Sequence, residues 1–163
     1  MAILDKIEVK IITRDVPNAG TDGEVYLGIG GREFRLNNLG NQFKKGQTDN
    51  FTIGVGSNIN NSKINDLPQS AMANPDSPVI DSGPRRNAAY PPHFPVYIRL
   101  DSKGDTKNDW NIEQVVVDAN EGTQTPGTFV FPNTTNPPPP KVHPEGSIWL
   151  GINSGEILFL ESV

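Results

Sequence analysis

The chain contains no cysteine. That excludes a disulfide framework, a thiolate metal site and a cysteine nucleophile, and it leaves the redox compartment open. Positive charge is short as well: 14 Lys and Arg stand against 19 Asp and Glu, for a net charge of -5. Nucleic-acid binding, which relies on a basic patch, is not expected from that balance. Aromatic residues make up 7% and hydrophobic residues 34%, and no apolar run approaches the roughly 18 residues that cross a bilayer. The opening MAILDKIEVKI places Asp5, Lys6, Glu8 and Lys10 where a signal peptide needs an unbroken apolar stretch. The expected location is therefore cytoplasmic, or outside the cell without a standard signal. His93 and His143 lie far apart in proline-rich segments, match no H-E-x-x-H zinc spacing and neighbour no nucleophile. No nucleophile, base and orienting group can be assembled, so the chain is expected to be neither an enzyme nor a binder of a small-molecule substrate.

Glycine and proline, in contrast, are plentiful, at 16 and 15 of 163 residues. Together with the modest apolar content they predict short strands joined by many turns, in one domain spanning 1–163. Ile7, Val9 and Ile11 alternate with charged residues, as do Val25, Leu27 and Ile29 with their neighbours; this is the period-two mark of half-buried strands. Gly30-Gly31 then predicts a hairpin into Glu33–Leu36. Phe51, Ile53 and Val55 predict another strand, followed by Val96–Leu100, Ile112–Val117 and Thr128–Phe131. Ile148–Ile152 and Glu156–Leu160 read as a closing hairpin around Asn153-Ser154-Gly155. An irregular Pro/Asn-rich insertion at 56–95 and a proline-rich segment at 132–146 complete the chain. The reading is all-β: an eight-stranded antiparallel β-sandwich with no convincing helix.

The loops between strands hold the chemistry. Asn18-Ala19-Gly20-Thr21-Asp22-Gly23 is dense in short oxygen-bearing side chains and glycine, where a plain turn needs only two or three such residues. Such a loop can aim carbonyls and a carboxylate at one spot, as a hard cation requires. Leu36–Gln42 and Asp101–Asp109 are two further polar loops. Gly28-x-Gly30-Gly31 has no helix after it and is a hairpin signal, not a dinucleotide fingerprint. Asp101, Asp105 and Asp109 lack EF-hand spacing. Arg85-Arg86 reads as a solvated pair, and Pro137–Pro140 as an extended spacer that could also serve as a groove ligand.

In order along the chain, IEVKIITRDVPNAGTDGEVYLGI, GNQFKKGQTDNFTI, and VYIRLD followed by NDWNIEQVVV resemble the PLAT (lipoxygenase-homology) domain. The resemblance is strong over 7–55 and 96–117 and weaker over 127–160, and the insertion is longer than the family usually carries. It implies a free-standing PLAT-like sandwich of eight strands with calcium at one end. Carried over residue by residue, it places Asn18, the Gly20 carbonyl, Asp109 and the Trp110 carbonyl at one site. The Thr21 carbonyl and Asp22, facing Asn37, Asn38, Gly40, Asn41 and Gln42, belong to a neighbouring one. Asn18, Asn37 and Gln42 stand where binding members often have carboxylates. One or two Ca2+ ions are therefore implied, held at the ~10⁻⁴ to 10⁻³ M typical of extracellular modules. The same loops also read as plain Asn/Gly turns without metal.

Membrane-docking members carry exposed aromatics beside AGTD and DW, whereas this chain has Val16-Pro17-Asn18 and Gly104–Lys107, so peripheral membrane binding is weakened. Trp110 is expected as a core plug. Trp149 could face outward toward a partner. Two functions stay open: a non-catalytic calcium-binding module attached to a membrane surface or a protein, and a scaffold subunit that self-assembles or joins a larger assembly without a functional metal.

Overall fold

The computed structural model describes residues 6–29, 32–60, 95–120, 127–132 and 146–163. Gly30-Gly31, most of the 56–95 insertion with Arg85-Arg86 and His93, and nearly all of the 132–146 segment with Pro137–Pro140 and His143 lie outside them.

Two antiparallel sheets face each other. One carries β1 (Lys6–Thr13), β4 (Thr48–Gly54), β6 (Trp110–Asn120), β7 (Gly127–Phe131), β8 (Ile148–Leu150) and β10 (Glu161–Ser162). The other runs β3 (Arg32–Arg35), β2 (Glu24–Ile29), β5 (Tyr97–Asp101), β9 (Ile157–Phe159). The alternation read from sequence is the packing pattern. Ile7, Val9, Ile11, Phe51, Ile53, Val115 and Val117 from the first sheet meet Val25, Leu27, Ile29, Phe34, Ile98 and Leu100 from the second in one core. Each such side chain contributes about 1.5–3 kcal/mol by leaving water.

Strand β6 holds one device that periodicity conceals. Trp110 and Ile112 are buried, and so are Val115 and Val117, although 112 to 115 is an odd step. The pairing with β1 shifts register between Ile12 and Thr13, putting Gln114 opposite Ile12 but Ile112 opposite Thr13. A bulge absorbs the extra residue and turns the apolar set back to the core.

Three expectations need correction. The described residues form ten strands, not eight. Val55 is not a core strand position: β4 ends at Gly54, and Val55 is 68% exposed. The closing hairpin is also absent. β8 pairs with β6, β9 pairs with β5 in the opposite sheet, and only a Gly151–Gly155 bridge links the two arms. Each arm buries its leucine (Leu150 or Leu158) from its own sheet.

Candidate functional site: the crossover end

Four of the connections that pass between the sheets are 14–23, 36–47, 102–109 and 151–156. They are bonded to one another at one end of the sandwich. Gly46 N–H donates to the Arg14 carbonyl (3.2 Å), Thr21 N–H to the Phe43 carbonyl (3.0 Å) and Asn111 N–H to the Ala19 carbonyl (2.9 Å). The Thr21 hydroxyl donates to the Asn108 carbonyl at 2.6 Å and accepts from Gly23 N–H at 3.0 Å. Within 102–109, Thr106–Asn108 makes a single 3-10 turn capped by the Asp105 carboxylate.

Phe43 is the keystone of the second loop. It holds a left-handed φ of 56°, a conformation costing a non-glycine residue about 1–2 kcal/mol. Its buried ring offsets that cost, stacking on Phe51 (centroids 5.6 Å) and meeting Trp110 edge-on (5.0 Å). Its N–H donates to Asp49 Oδ2 at 2.8 Å. Trp110 is fully buried, as expected, and its indole N–H donates to Thr13 Oγ1 at 2.9 Å.

Burial raises the Asp49 pKa, and the Phe43 N–H opposes the rise only in part. A carboxyl that holds its proton more tightly folded than unfolded favours the fold below its unfolded pKa. That contribution is lost as pH rises through the folded value. Asp49→Asn keeps the acceptor and removes the charge. We expect a higher melting temperature than the native chain at pH 7, with the difference vanishing toward pH 3. Melts across that range check this, and equal values at pH 7 would contradict it.

Thr21, Asp22, Asn37, Gly40, Asn41 and Gln42 line a single cleft of about 230 Å³, so the two oxygen-rich loops do face each other. The cleft also holds the chain's own cations. Lys44 pairs with Asp22, while Arg35 and Lys103 each reach Glu24 at 3.0 Å. The Tyr26 hydroxyl and Lys103 hold the Glu24 carboxyl below its usual pKa. Asn38 is placed differently: its Oδ1 accepts from Gly40 N–H (2.9 Å) and Gln42 Nε2 (2.5 Å), a brace inside the loop. Asn18 sits exposed at a left-handed φ of 61°.

Two sequence-derived site residues carry oxygens sealed from solvent without any partner: Asn37 Oδ1 in the cleft loop and Asp109 Oδ1 at the start of β6. Orphaned buried acceptors are rare and costly, about 1–3 kcal/mol each. Bare oxygens of this kind are what a hard cation takes as ligands, and in that respect each residue fits calcium at the site to which the family resemblance assigns it. Among the described residues no group of three His, Cys, Asp or Glu side chains could hold a metal, so an ion here would depend on amide and carbonyl oxygens. The exposed Asp22–Lys44 pair is no barrier, being worth about 0–1 kcal/mol.

Sequence reasoning missed three residues of this end. Asn111 has a third orphaned Oδ1. A Cβ on Gly151 would lie 2.0 Å from Asp109 Oδ1. Leu39, between Asn38 and Gly40, is 93% exposed, and a lone apolar residue in a polar loop was a signal available beforehand.

The sequence matches the PLAT/LH2 domain model over residues 7–138. The chain belongs to the PLAT/LH2 domain family. It is 43% identical over 54 residues to the Mus musculus lipoxygenase homology domain-containing protein 1, covering 30% of this chain and 3% of that protein. The alpha toxin from Clostridium absonum superposes with a TM-score of 0.51 at 22% identity, over 98% of this chain and 32% of the toxin. Coral 8R-lipoxygenase, described as calcium-activated via a C2-like domain, gives a TM-score of 0.52 at 15% identity over 96% of this chain and 17% of the enzyme. At such identities the structural likenesses show the PLAT fold alone. The PLAT chain thus spans about a third or less of each of these relatives. Among the described residues no helix is long and apolar enough to cross a membrane.

Proposed function

We propose that this PLAT domain is a non-catalytic attachment module whose crossover end binds one or two calcium ions and then docks on a membrane surface. The carrying observation is the pair of partnerless buried oxygens, Asn37 Oδ1 and Asp109 Oδ1, on loops that the fold gathers at one end. Calcium would pin those loops together and supply positive charge that a chain of net charge -5 lacks. The calcium activation of coral 8R-lipoxygenase via a C2-like domain is in keeping with this.

Leu39 supports the membrane over other surfaces. The apolar wedge missing at 16–18 and 104–107 has a counterpart on the second loop, where Leu39 stands 93% exposed next to the cleft-lining Gly40. Burying one leucine gains about 1.5–3 kcal/mol. Anionic vesicles are expected to pellet the protein in millimolar calcium and not in chelator, and Leu39→Asp to weaken that binding about tenfold or more. Equal pelleting of the variant would remove Leu39 from the account; no pelleting of the native chain would sink membrane docking.

A second reading, a scaffold subunit, has its own observation. Ile157 and Phe159 on the edge strand β9 are 48% and 60% exposed, with the Tyr97 ring meeting Phe159 edge-on. A mass in solution above the monomer that Phe159→Asp abolishes would favour it.

A further inference from the structure

Two bare oxygens flank Trp110 where the chain enters β6: Asp109 Oδ1 just before the strand and Asn111 Oδ1 within it, both shut off from solvent and both unbonded. Between them Trp110 sends its ring into the core against Phe43. Successive side chains of an extended chain leave on opposite faces, so Asp109 and Asn111 leave together on the face away from the core. A polar residue on that face is ordinarily wet, yet Asn111 is only 2% exposed.

The 14–19 part of the first crossover loop is bonded to the Asn111 backbone at both of its ends. Arg14 N–H donates to the Asn111 carbonyl at 3.0 Å, and Asn111 N–H donates to the Ala19 carbonyl at 2.9 Å. The intervening turn, 15–18, is thus clasped on both sides by one residue of β6. Gly151 lies against Asp109 Oδ1 itself, too close to carry a side chain. Two acceptors on one face, one of them a carboxylate, cannot satisfy each other. A cation is one group that can meet two acceptors at once.

We propose that Asn111 Oδ1 is a direct ligand of the divalent cation held by Asp109, giving this end a side-chain amide from the rigid strand in addition to the loop residue Asn18. This rests on the calcium reading above. It also explains how a site short of carboxylates keeps its ion: an amide fixed on a strand needs little ordering when the metal arrives. An all-oxygen set of this kind suits Ca2+ over Mg2+, which demands stricter octahedral geometry and parts with its waters reluctantly.

The test uses the full chain, with Ca2+ titrated calorimetrically and Tb3+ followed by tryptophan-sensitised emission, since Trp149 lies opposite Asn111 on β8. Asn111→Leu is expected to weaken calcium binding by tenfold or more, given that even outer-shell ligand partners are worth about 10–100-fold, and to abolish the sensitised Tb3+ signal. Asn111→Asp, which keeps the oxygen and adds a charge, is expected to bind at least as tightly as the native chain. If Asn111→Leu melts normally in chelator and binds calcium with native affinity, the proposal is overturned while the calcium reading stands. Should Asn111→Leu not fold, Asn111→Asp decides, and a loss of affinity there would overturn the proposal. A native chain that takes up no calcium would overturn both.

Discussion

Trp110→Ala is expected to cost about 3–5 kcal/mol, the usual range for removing a large aromatic side chain from a packed core. The indole is fully buried, meets Phe43 edge-on at 5.0 Å and donates to Thr13 Oγ1 across the sheet at 2.9 Å. For a domain of this size each kcal/mol lowers the melting temperature by about 2–4 °C, so a drop of roughly 6–20 °C is expected in a thermal melt. Since domains hold about 5–15 kcal/mol in total, the variant is expected to sit near the edge of folding at 37 °C. Trp110→Phe separates the contributions: it keeps an aromatic against Phe43 but takes the donor from Thr13 Oγ1, and should cost about 1–3 kcal/mol. Because Trp110 lies between Asp109 and Asn111, its loss also frees the site's main strand. A Trp110→Ala melt within 2 °C of native would contradict the core role.

Asp109→Asn is expected to move stability in opposite directions with and without calcium. In chelator the half-buried native carboxylate keeps Oδ1 sealed and unbonded, a cost of about 1–3 kcal/mol. Asparagine has nearly the same shape without the charge. The variant should therefore melt higher than native by a few degrees when no metal is present. In calcium the order reverses, because the site has lost its charged ligand and affinity is set largely by ligand charge count; a loss of at least tenfold is expected. A residue kept for the fold alone would not show the crossing. If Asp109→Asn melted below native in chelator, Asp109 would be serving the fold and its assignment to a metal would fail. Gly151 sharpens the point, since Gly151→Ala forces the carboxylate to shift without altering its charge.

How much of this was legible beforehand follows from what local sequence encodes. Ile7, Val9 and Ile11, or Val25, Leu27 and Ile29, declare both strand and buried face, because alternation and burial have the same period. The pairing of β2 with β3, with Ile29 opposite Arg32, follows from Gly30-Gly31. Where the outcome depends on partners, local sequence was mute or misleading. Ile148–Leu150 and Ile157–Phe159 look like two arms of one hairpin, yet each pairs with a different sheet. The bulge in β6 answers to Thr13 on β1, far away in the chain. At the site, Asp22 and Asn37 were readable because oxygen-rich loops are unusual, and the structure sets them on one cleft. Asn111 was not, since a polar residue on the outer face of a strand is unremarkable until it is seen to be buried, with its backbone bonded to both ends of the loop 14–19.

The central claim is that calcium completes the crossover end by engaging oxygens that the protein leaves bare. A thermal melt of the native chain in millimolar calcium against the same chain in chelator tests it most directly. A ligand that binds only the folded state raises the midpoint by mass action, about 2.7 kcal/mol at a hundredfold excess over Kd. At the ~10⁻⁴ to 10⁻³ M affinity implied by so few carboxylates, 10 mM calcium should raise the midpoint by several degrees, with magnesium doing far less. Identical midpoints in calcium and chelator would contradict the account.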